Sequence, residues 1–212
     1  MTVSWLPRPL VPPARASPAV FAAGGTTHLI LEVLAYAAEE VESTGSSGRC
    51  RVTLRADGSV SVEDNGRGTD TRCDVDGELV KKPIMATKDL RFFDFPDAQQ
   101  LPDGHPRRGM STVSALCPWL VHTNRRHNGT WTQRYEYGLP ASGLLAIPDE
   151  DDTGTTVHFL PADGVRSMDE VSASASEAER VSSAQAERVS VVSGPPVDWG
   201  FFATIPRLQI VP

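Results

Sequence analysis

The chain has 212 residues, of which 40% are hydrophobic and 22% charged, and this composition is typical of one globular domain rather than a disordered chain. The net charge of −7 provides no overall attraction to nucleic acid, and three cysteines without CxxC spacing argue against a disulfide framework or a zinc site. No segment approaches the roughly 18 apolar residues of a membrane span, and the N-terminus lacks a secretory signal, so we expect a cytoplasmic protein that does not contact membranes.

The N-terminal part of the chain divides into an arm and a helix. The first 18 residues are rich in proline and show no periodicity, which predicts an extended arm. The segment LILEVLAYAAEEV at 29–41 has apolar residues three and four apart, which predicts a helix. On that helix Glu32 and Tyr36 share a face, and the nearest neighbours of Glu32 are mostly apolar. Such a setting is unusual for a carboxylate and makes Glu32 a candidate functional residue.

The middle of the chain alternates between strand and helix patterns. CRVTLRADGSVSVEDNG alternates apolar and polar residues around Asp57-Gly58, which predicts a hairpin ending at DNGRG. The charged, proline-punctuated stretch 81–108 predicts a long loop. MSTVSALCPWL predicts a buried helix, and VHTN, WTQRYEYG and TTVHFLP predict three strands, the first two joined by a turn at Asn128-Gly129. This order of elements predicts an α+β layer fold.

The C-terminal region differs in composition. AERVS occurs at 178–182 and again at 186–190 in a stretch rich in Ala, Ser and Glu. Two copies do not make a solenoid, and the abundance of good helix formers favours a solvent-facing helix over a flexible linker. We therefore expect an arm at 1–18, one domain at 19–165, and a C-terminal segment at 166–212 that holds this Ala/Ser/Glu-rich stretch and a terminal strand.

Five short blocks follow one another along the chain: EVLAYAAEE, VEDNGRG, RRGMSTVSAL, RYEYGLP and GTTVHFLP. Their series resembles the ATP-binding domain of the DNA gyrase B protein and its topoisomerase IV counterpart, within the GHKL ATPase superfamily. The resemblance covers roughly residues 15–161. It implies a two-layer GHKL (Bergerat) fold, in which a mixed sheet packs against helices and ATP lies between the layers.

The resemblance also implies roles for individual residues. Glu32 would be the general base that orients water on the γ-phosphate, and Asp64 would accept a hydrogen bond from the adenine amino group, with Thr155 completing the contact. The nucleotide-binding residues implied in this way are Asp64, Gly66, Arg67, Gly68, Gly109, Thr155, Tyr36 and Glu40. Simpler interpretations remain open: DNGRG as a polar turn, Thr155 as an ordinary strand residue, and Glu40 with Arg67 as a surface ion pair.

Two of these roles agree with elementary chemistry. An ionised carboxylate accepts hydrogen bonds but donates none, so Asp64 suits an exocyclic amine and favours adenine over guanine. A glutamate on a rigid helix can hold water in line, and such positioning does much of the work in phosphoryl transfer.

The sequence departs from the family at the phosphate-binding motifs. Ala35-Tyr36 stands where the family has Asp-Asn, and a phenol is a poor ligand for the magnesium that the asparagine holds. The glycine-rich lid is reduced to DGHPRRG, in which Arg107 and Arg108 either replace backbone contacts to phosphate or are solvated surface charges. The lid lysine has no convincing counterpart, although Lys88 is nearby. We assign no residue as a metal ligand.

These observations predict a gyrase-B-like domain that binds an adenine nucleotide, with weak or absent hydrolysis, as a regulatory or interaction module. The expected protein partner is a gyrase-like protein or a second copy of the chain. One alternative is an active ATPase with a rebuilt magnesium site, acting alone or with a topoisomerase-like partner. Another is a scaffold that binds no nucleotide. Because the transducer, cleavage and DNA-docking regions of a full-length gyrase B protein have no counterpart, we expect no DNA strand passage and no tight direct DNA binding by this chain.

Overall fold

The computed structural model describes residues 17–45, 47–69, 75, 98–127, 129–148, 152–166 and 208–211. Most of the predicted arm, most of the 81–108 loop including Lys88, and both AERVS copies lie outside these residues.

The helices in the described residues include α1 (Pro18–Phe21), α2 (Gly25–Thr44) and α3 (Met110–Ala115), and residues 163–166 are also helical. The predictions of a helix at 29–41 and of a short buried helix after Gly109 are confirmed. Helix α2 ends at Gly45, whose φ of 64° is left-handed and whose N–H donates to the carbonyl oxygen of Val41. Glycine adopts this conformation readily, which makes it a common helix terminator.

In the described part of the chain, eight strands form one sheet in the order β5-β4-β3-β7-β2-β1-β8, with β6 also paired to β4. β1 and β8 are parallel and the other pairs are antiparallel. The predicted α+β fold with a mixed sheet is therefore confirmed. The strands are β1 (Gly48–Leu54), β2 (Val60–Asp64), β3 (Trp119–Arg125), β4 (Trp131–Glu136), β5 (Leu139–Pro140), β6 (Leu145–Ala146), β7 (Gly154–Leu160) and β8 (Leu208–Val211).

The predicted hairpin is formed by β1 and β2, which pair with Leu54 opposite Val60. Gly58 in the turn has a φ of 81°, and the Asp57 carboxylate accepts hydrogen bonds from the backbone N–H of Ser59 (2.9 Å) and from its hydroxyl (2.7 Å). The Asp-Gly dipeptide thus supplies both the left-handed residue and the side-chain acceptor that the turn uses.

Helices α2 and α3 contact each other and pack on the sheet, where they bury a single apolar core. Its largest fully buried side chains include Leu29, Leu34, Val113, Leu120 and Phe159. Burial of each such side chain contributes roughly 1.5–3 kcal/mol, and the core fixes α2 above strands β1 and β2.

Residues Pro18–Thr44, which contain α1 and α2, are long and apolar enough to cross a membrane by length and mean hydropathy alone. The expectation that no segment reaches this length was therefore wrong by this measure. However, 56% of the apolar window is buried inside the fold, and the window contains the fully buried pair of His28 and Glu32. This packing is that of a core helix.

Candidate functional site

A cleft of about 390 Å³ opens between α2 and the sheet. Its volume is within the roughly 300–1,000 Å³ typical of small-molecule sites. Six of the residues predicted from sequence line it, whereas Gly66 lines an adjoining cavity of about 210 Å³, and Glu32 and Gly109 line neither. The lining residues are Val33, Tyr36, Ala37, Glu40, Asp64, Arg67, Gly68, Thr69, Met110, His122, Arg126, Thr155 and Val157.

Asp64 lies at the end of β2, next to the start of β7. Its Oδ1 accepts hydrogen bonds from the backbone N–H groups of Gly66 (2.8 Å) and Thr155 (3.3 Å). Burial raises the pKa of the Asp64 carboxyl, and these two N–H groups oppose the rise. Within the described part of the chain no group donates to Oδ2, so this oxygen can accept a hydrogen bond from a ligand in the cleft.

Two glycines allow the backbone to pack tightly around Asp64. Gly68 has a φ of +70°, and a Cβ there would lie 2.3 Å from the carbonyl oxygen of Arg125. Gly154 has a φ of +143°, and a Cβ there would lie 2.0 Å from the carbonyl oxygen of Asp64. Both positions are strained for any larger residue, because the conformation and the available space each favour glycine.

Asn124 holds the segment after β2 in place, although the sequence patterns did not single it out. This fully buried side chain accepts a hydrogen bond from the N–H of Thr69 (2.5 Å) and donates to the carbonyl oxygens of Thr69 and Gly129 (both 3.1 Å). The sequence pattern that could have identified Asn124 is a polar residue at an inward-facing position of the alternating strand VHTN.

His122 on β3 is a second lining residue that was not predicted from the sequence. Burial lowers the pKa of its imidazole to about 4, so it is neutral near pH 7. Its ring stacks on Trp131 with centroids 5.1 Å apart. His122 therefore gives the cleft a neutral aromatic wall.

Glu40 and Arg67 form an ion pair at the cleft mouth. Arg67 Nε lies 2.6 Å from Glu40 Oε1, and its terminal nitrogen lies 3.2 Å from Oε2. The hydrogen bond from Arg67 lowers the pKa of Glu40. Because Arg67 is 62% exposed, solvent screens this pair and its contribution to stability is small.

At the other end of the cleft, α2 side chains accept hydrogen bonds from the backbone that begins α3. Glu32 is fully buried; its Oε1 accepts from the N–H of Arg108 (2.5 Å) and its Oε2 from the N–H of Gly109 (2.7 Å). The Tyr36 hydroxyl oxygen accepts from the N–H of Met110 (3.2 Å). Three successive N–H groups are therefore satisfied from within the protein.

His28 provides the counter-charge for Glu32. Its Nε2 lies 3.3 Å from Glu32 Oε1, and its Nδ1 lies 2.6 Å from Asp103 Oδ2. Burial alone would lower the pKa of His28, but the hydrogen bonds and charges of Asp103 and Glu32 outweigh it and raise that pKa to about 9. The imidazolium thus joins two carboxylates in the interior.

The two lid arginines are buried, at 4% exposure for Arg107 and 6% for Arg108, so the interpretation of them as solvated surface charges was wrong. Arg107 forms a salt bridge with Glu39 and donates to Gln99 Oε1 (3.1 Å), with its guanidinium carbon 4.9 Å from the centre of the Tyr36 ring. The Arg108 guanidinium carbon lies 4.9 Å from the centre of the Phe21 ring. Their side chains pack the lid against the N-terminal helices.

The residues at this end do not fit a magnesium ion. Ala35 packs in the apolar core, the Tyr36 oxygen accepts from Met110, and both Glu32 oxygens accept from backbone N–H groups. Magnesium requires several oxygen ligands in near-octahedral geometry. In the residues that the structure describes, no group of three or more His, Cys, Asp or Glu side chains could hold a metal ion.

Sequence comparison finds related proteins, although no family model matches the chain. It is 33% identical over 138 residues to the B subunit of DNA topoisomerase 4 from Staphylococcus epidermidis, covering 65% of this chain and 21% of that protein. It is also 33% identical to the DNA gyrase B proteins of Thermotoga maritima, over 138 residues, and Haloferax volcanii, over 147 residues. The gyrase matches cover 65% and 66% of this chain, and 22% and 23% of those proteins, respectively.

The chain therefore spans about a fifth of the length of these relatives. The aligned segments comprise about two thirds of the residues of this chain, which agrees in length with the segment that holds the five sequence blocks. The resemblance is confirmed: the chain is similar to the B subunits of DNA gyrase and topoisomerase IV, consistent with a gyrase-B-like ATPase domain.

Proposed function

We propose that the chain is an adenine-nucleotide-binding domain of the gyrase B type with weak or absent hydrolysis. It serves in the cytoplasm as a regulatory or interaction module, and its partner is a gyrase-like protein or a second copy of itself. The observation that carries the proposal is Asp64, which lines the cleft with one oxygen fixed by two backbone N–H groups.

Asp64 supports selectivity for adenine. The orientation of its carboxylate is fixed by the N–H groups of Gly66 and Thr155, and Oδ2 can accept from an exocyclic amine. Adenine presents an amino group where guanine presents a carbonyl oxygen, and an ionised carboxylate would repel that oxygen. Val33, Val157 and the neutral ring of His122 add apolar and aromatic surface suited to a base.

The surroundings of Glu32 support weak hydrolysis. A general base must reach the water that it activates, directly or through one further water. Both Glu32 oxygens accept backbone hydrogen bonds, and one also contacts His28. A carboxylate engaged in this way, without a fitted magnesium site beside it, is poorly placed to drive phosphoryl transfer.

Isothermal titration with ATP and GTP, with and without magnesium, together with a phosphate-release assay, tests this function. We expect ATP to bind, GTP to bind at least about tenfold more weakly, which corresponds to about 1.4 kcal/mol, and phosphate release to stay near background. Brisk magnesium-dependent release would show an active ATPase instead. A failure to bind any adenine compound would leave a scaffold without a nucleotide.

A further inference from the structure

We propose that the cleft binds the adenosine part of its ligand and that the backbone N–H groups of Arg108, Gly109 and Met110 are closed to its phosphate groups, so that adenosine binds about as tightly as ATP. This inference rests on the proposed adenine site at Asp64 and specifies which part of the nucleotide is recognised. It makes the domain a nucleoside-binding site within a nucleotide-binding fold.

The first argument is the occupancy of the backbone donors between the lid and α3. A turn that holds phosphate presents unsatisfied N–H groups to it. Here the N–H groups of Arg108 and Gly109 donate to Glu32, and that of Met110 donates to Tyr36. Further along, the N–H of Thr112 donates to the carbonyl oxygen of Gly109 at 3.0 Å, and between them the N–H of Ser111 has no acceptor among the described residues. A phosphate would have to displace an internal acceptor to reach any of these donors except that of Ser111.

The second argument is that the principal internal acceptor cannot move away at low cost. Glu32 is fully buried and lies 3.3 Å from His28, which in turn is held by Asp103 at 2.6 Å. Displacing this carboxylate would leave the buried imidazolium with one partner fewer. Removing one partner from a buried ion pair is strongly unfavourable, so the turn remains closed to an outside anion.

The third argument concerns side-chain charge beside the cleft. Arg107 is paired with Glu39, and Arg67 is paired with Glu40. Both carboxylates belong to α2, and Arg126, which also lines the cleft, donates to the carbonyl oxygen of Gly68 at 2.8 Å. A phosphate group would have to compete with these acceptors, and Tyr36 itself contributes a neutral phenol to the lining.

Calorimetric titration of the full chain with adenosine and with ATP, with and without magnesium, tests the inference. We expect the two dissociation constants to agree within about threefold and magnesium to change neither appreciably. ATP binding at least about tenfold tighter than adenosine would overturn the inference but leave the proposed function intact. Absence of binding by both compounds would overturn the inference and the proposed function together.

The variant Tyr36→Phe tests the mechanism, since it removes the acceptor of the Met110 N–H and keeps the ring. We expect the ratio of ATP affinity to adenosine affinity to rise by about three- to tenfold, because a freed donor can bind a charged phosphate oxygen. The matched control is Tyr135→Phe, which removes another buried phenol that donates to Gln133 outside the cleft lining. An unchanged ATP-to-adenosine ratio in Tyr36→Phe, or an equal change in the control, would overturn the inference.

Discussion

The two ends of the cleft are built from the same groups, carboxylates that face backbone N–H groups, and use them differently. At the base end, where we propose that adenine binds, Asp64 receives two N–H groups on Oδ1, and within the described residues nothing donates to Oδ2. At the phosphate end, where the resemblance implies the γ-phosphate, Glu32 receives an N–H group on each oxygen and contacts His28 as well. In the first arrangement one carboxylate oxygen can still accept a hydrogen bond from a ligand. In the second, both carboxylate oxygens make contacts within the protein.

The comparison concerns what the contacts of a carboxylate leave available to a ligand. The resemblance implies a general-base role for Glu32, whereas the contacts of Glu32 link α2 to the backbone before α3. Glu39 and Glu40 on the same helix are paired with Arg107 and Arg67. Helix α2 thus holds the surrounding segments through Glu32, Glu39 and Glu40. The groups that contact each carboxylate determine whether that carboxylate is available for chemistry.

The largest expected effect is on stability, from Glu32→Gln. The substitution leaves His28 with one charged partner fewer and places an amide N–H₂ group against backbone donors, so we expect the free energy of unfolding to fall by about 3 kcal/mol. Urea denaturation checks this, with exposed Glu42→Gln on the same helix as the control. A Glu32→Gln variant as stable as the wild type would show that Glu32 is not the structural link described here.

His28 should make stability fall at alkaline pH. Its pKa is about 9 in the folded state against 6.5 for the free side chain, so its contribution is fully present below pH 6.5 and is lost as the pH rises through 9. The loss amounts to about 3 kcal/mol, and it should be absent in His28→Gln. Denaturation series from pH 6 to 10 check this, with exposed His127→Gln as the control. Equal pH dependence in wild type and His28→Gln would contradict the buried ion pair.

At the base end, Asp64→Asn should weaken binding without closing the cleft. We expect the affinities for adenosine and for ATP to fall together by roughly ten- to a hundredfold, since a hydrogen bond to a charged group contributes about 1.5–3 kcal/mol. Calorimetry checks this, with exposed Asp163→Asn as the control. Unchanged affinity would show that the base lies elsewhere.

Gly68→Ala should lower stability and weaken adenosine binding at the base end, because a side chain at this position has no room. The φ of +70° at Gly68 and the 2.3 Å approach of a Cβ to the carbonyl oxygen of Arg125 predict a loss of about 1–3 kcal/mol of stability and weaker adenosine binding. Gly143 is the matched control, because a Cβ there meets no atom within 4 Å. Thermal denaturation and calorimetry of both variants check this, and equal behaviour would contradict the close packing around Asp64.

Much of the fold could be predicted from the sequence because it depends on local patterns. The 3.6-residue period indicated α2, and strict alternation with Asp57-Gly58 indicated the β1–β2 hairpin. The proximity of Asp64 and Thr155 follows once β2 and β7 pair, with Glu63 opposite Thr156.

The phosphate end could not be predicted in the same way, because its contacts are distant in sequence. Glu32 is 76 residues from Arg108, and His28 is 75 residues from Asp103, so no local pattern indicates that they meet. Asn124 and His122 were missed because each lies in a strand whose alternation only indicates an inward position. Which buried polar side chain finds which partner depends on the tertiary packing of the loop before α3.

The most direct test is to follow the backbone amide signals of the protein by ¹⁵N–¹H NMR during titration with ATP and magnesium. The account predicts that the amides of Gly66, Gly68 and Thr155 shift on binding, whereas those of Arg108, Gly109 and Met110 stay in place because Glu32 and Tyr36 already accept from them. Shifts at Arg108, Gly109 and Met110 as large as those at Gly66 would contradict it, since the phosphates would then be bound by the backbone before α3.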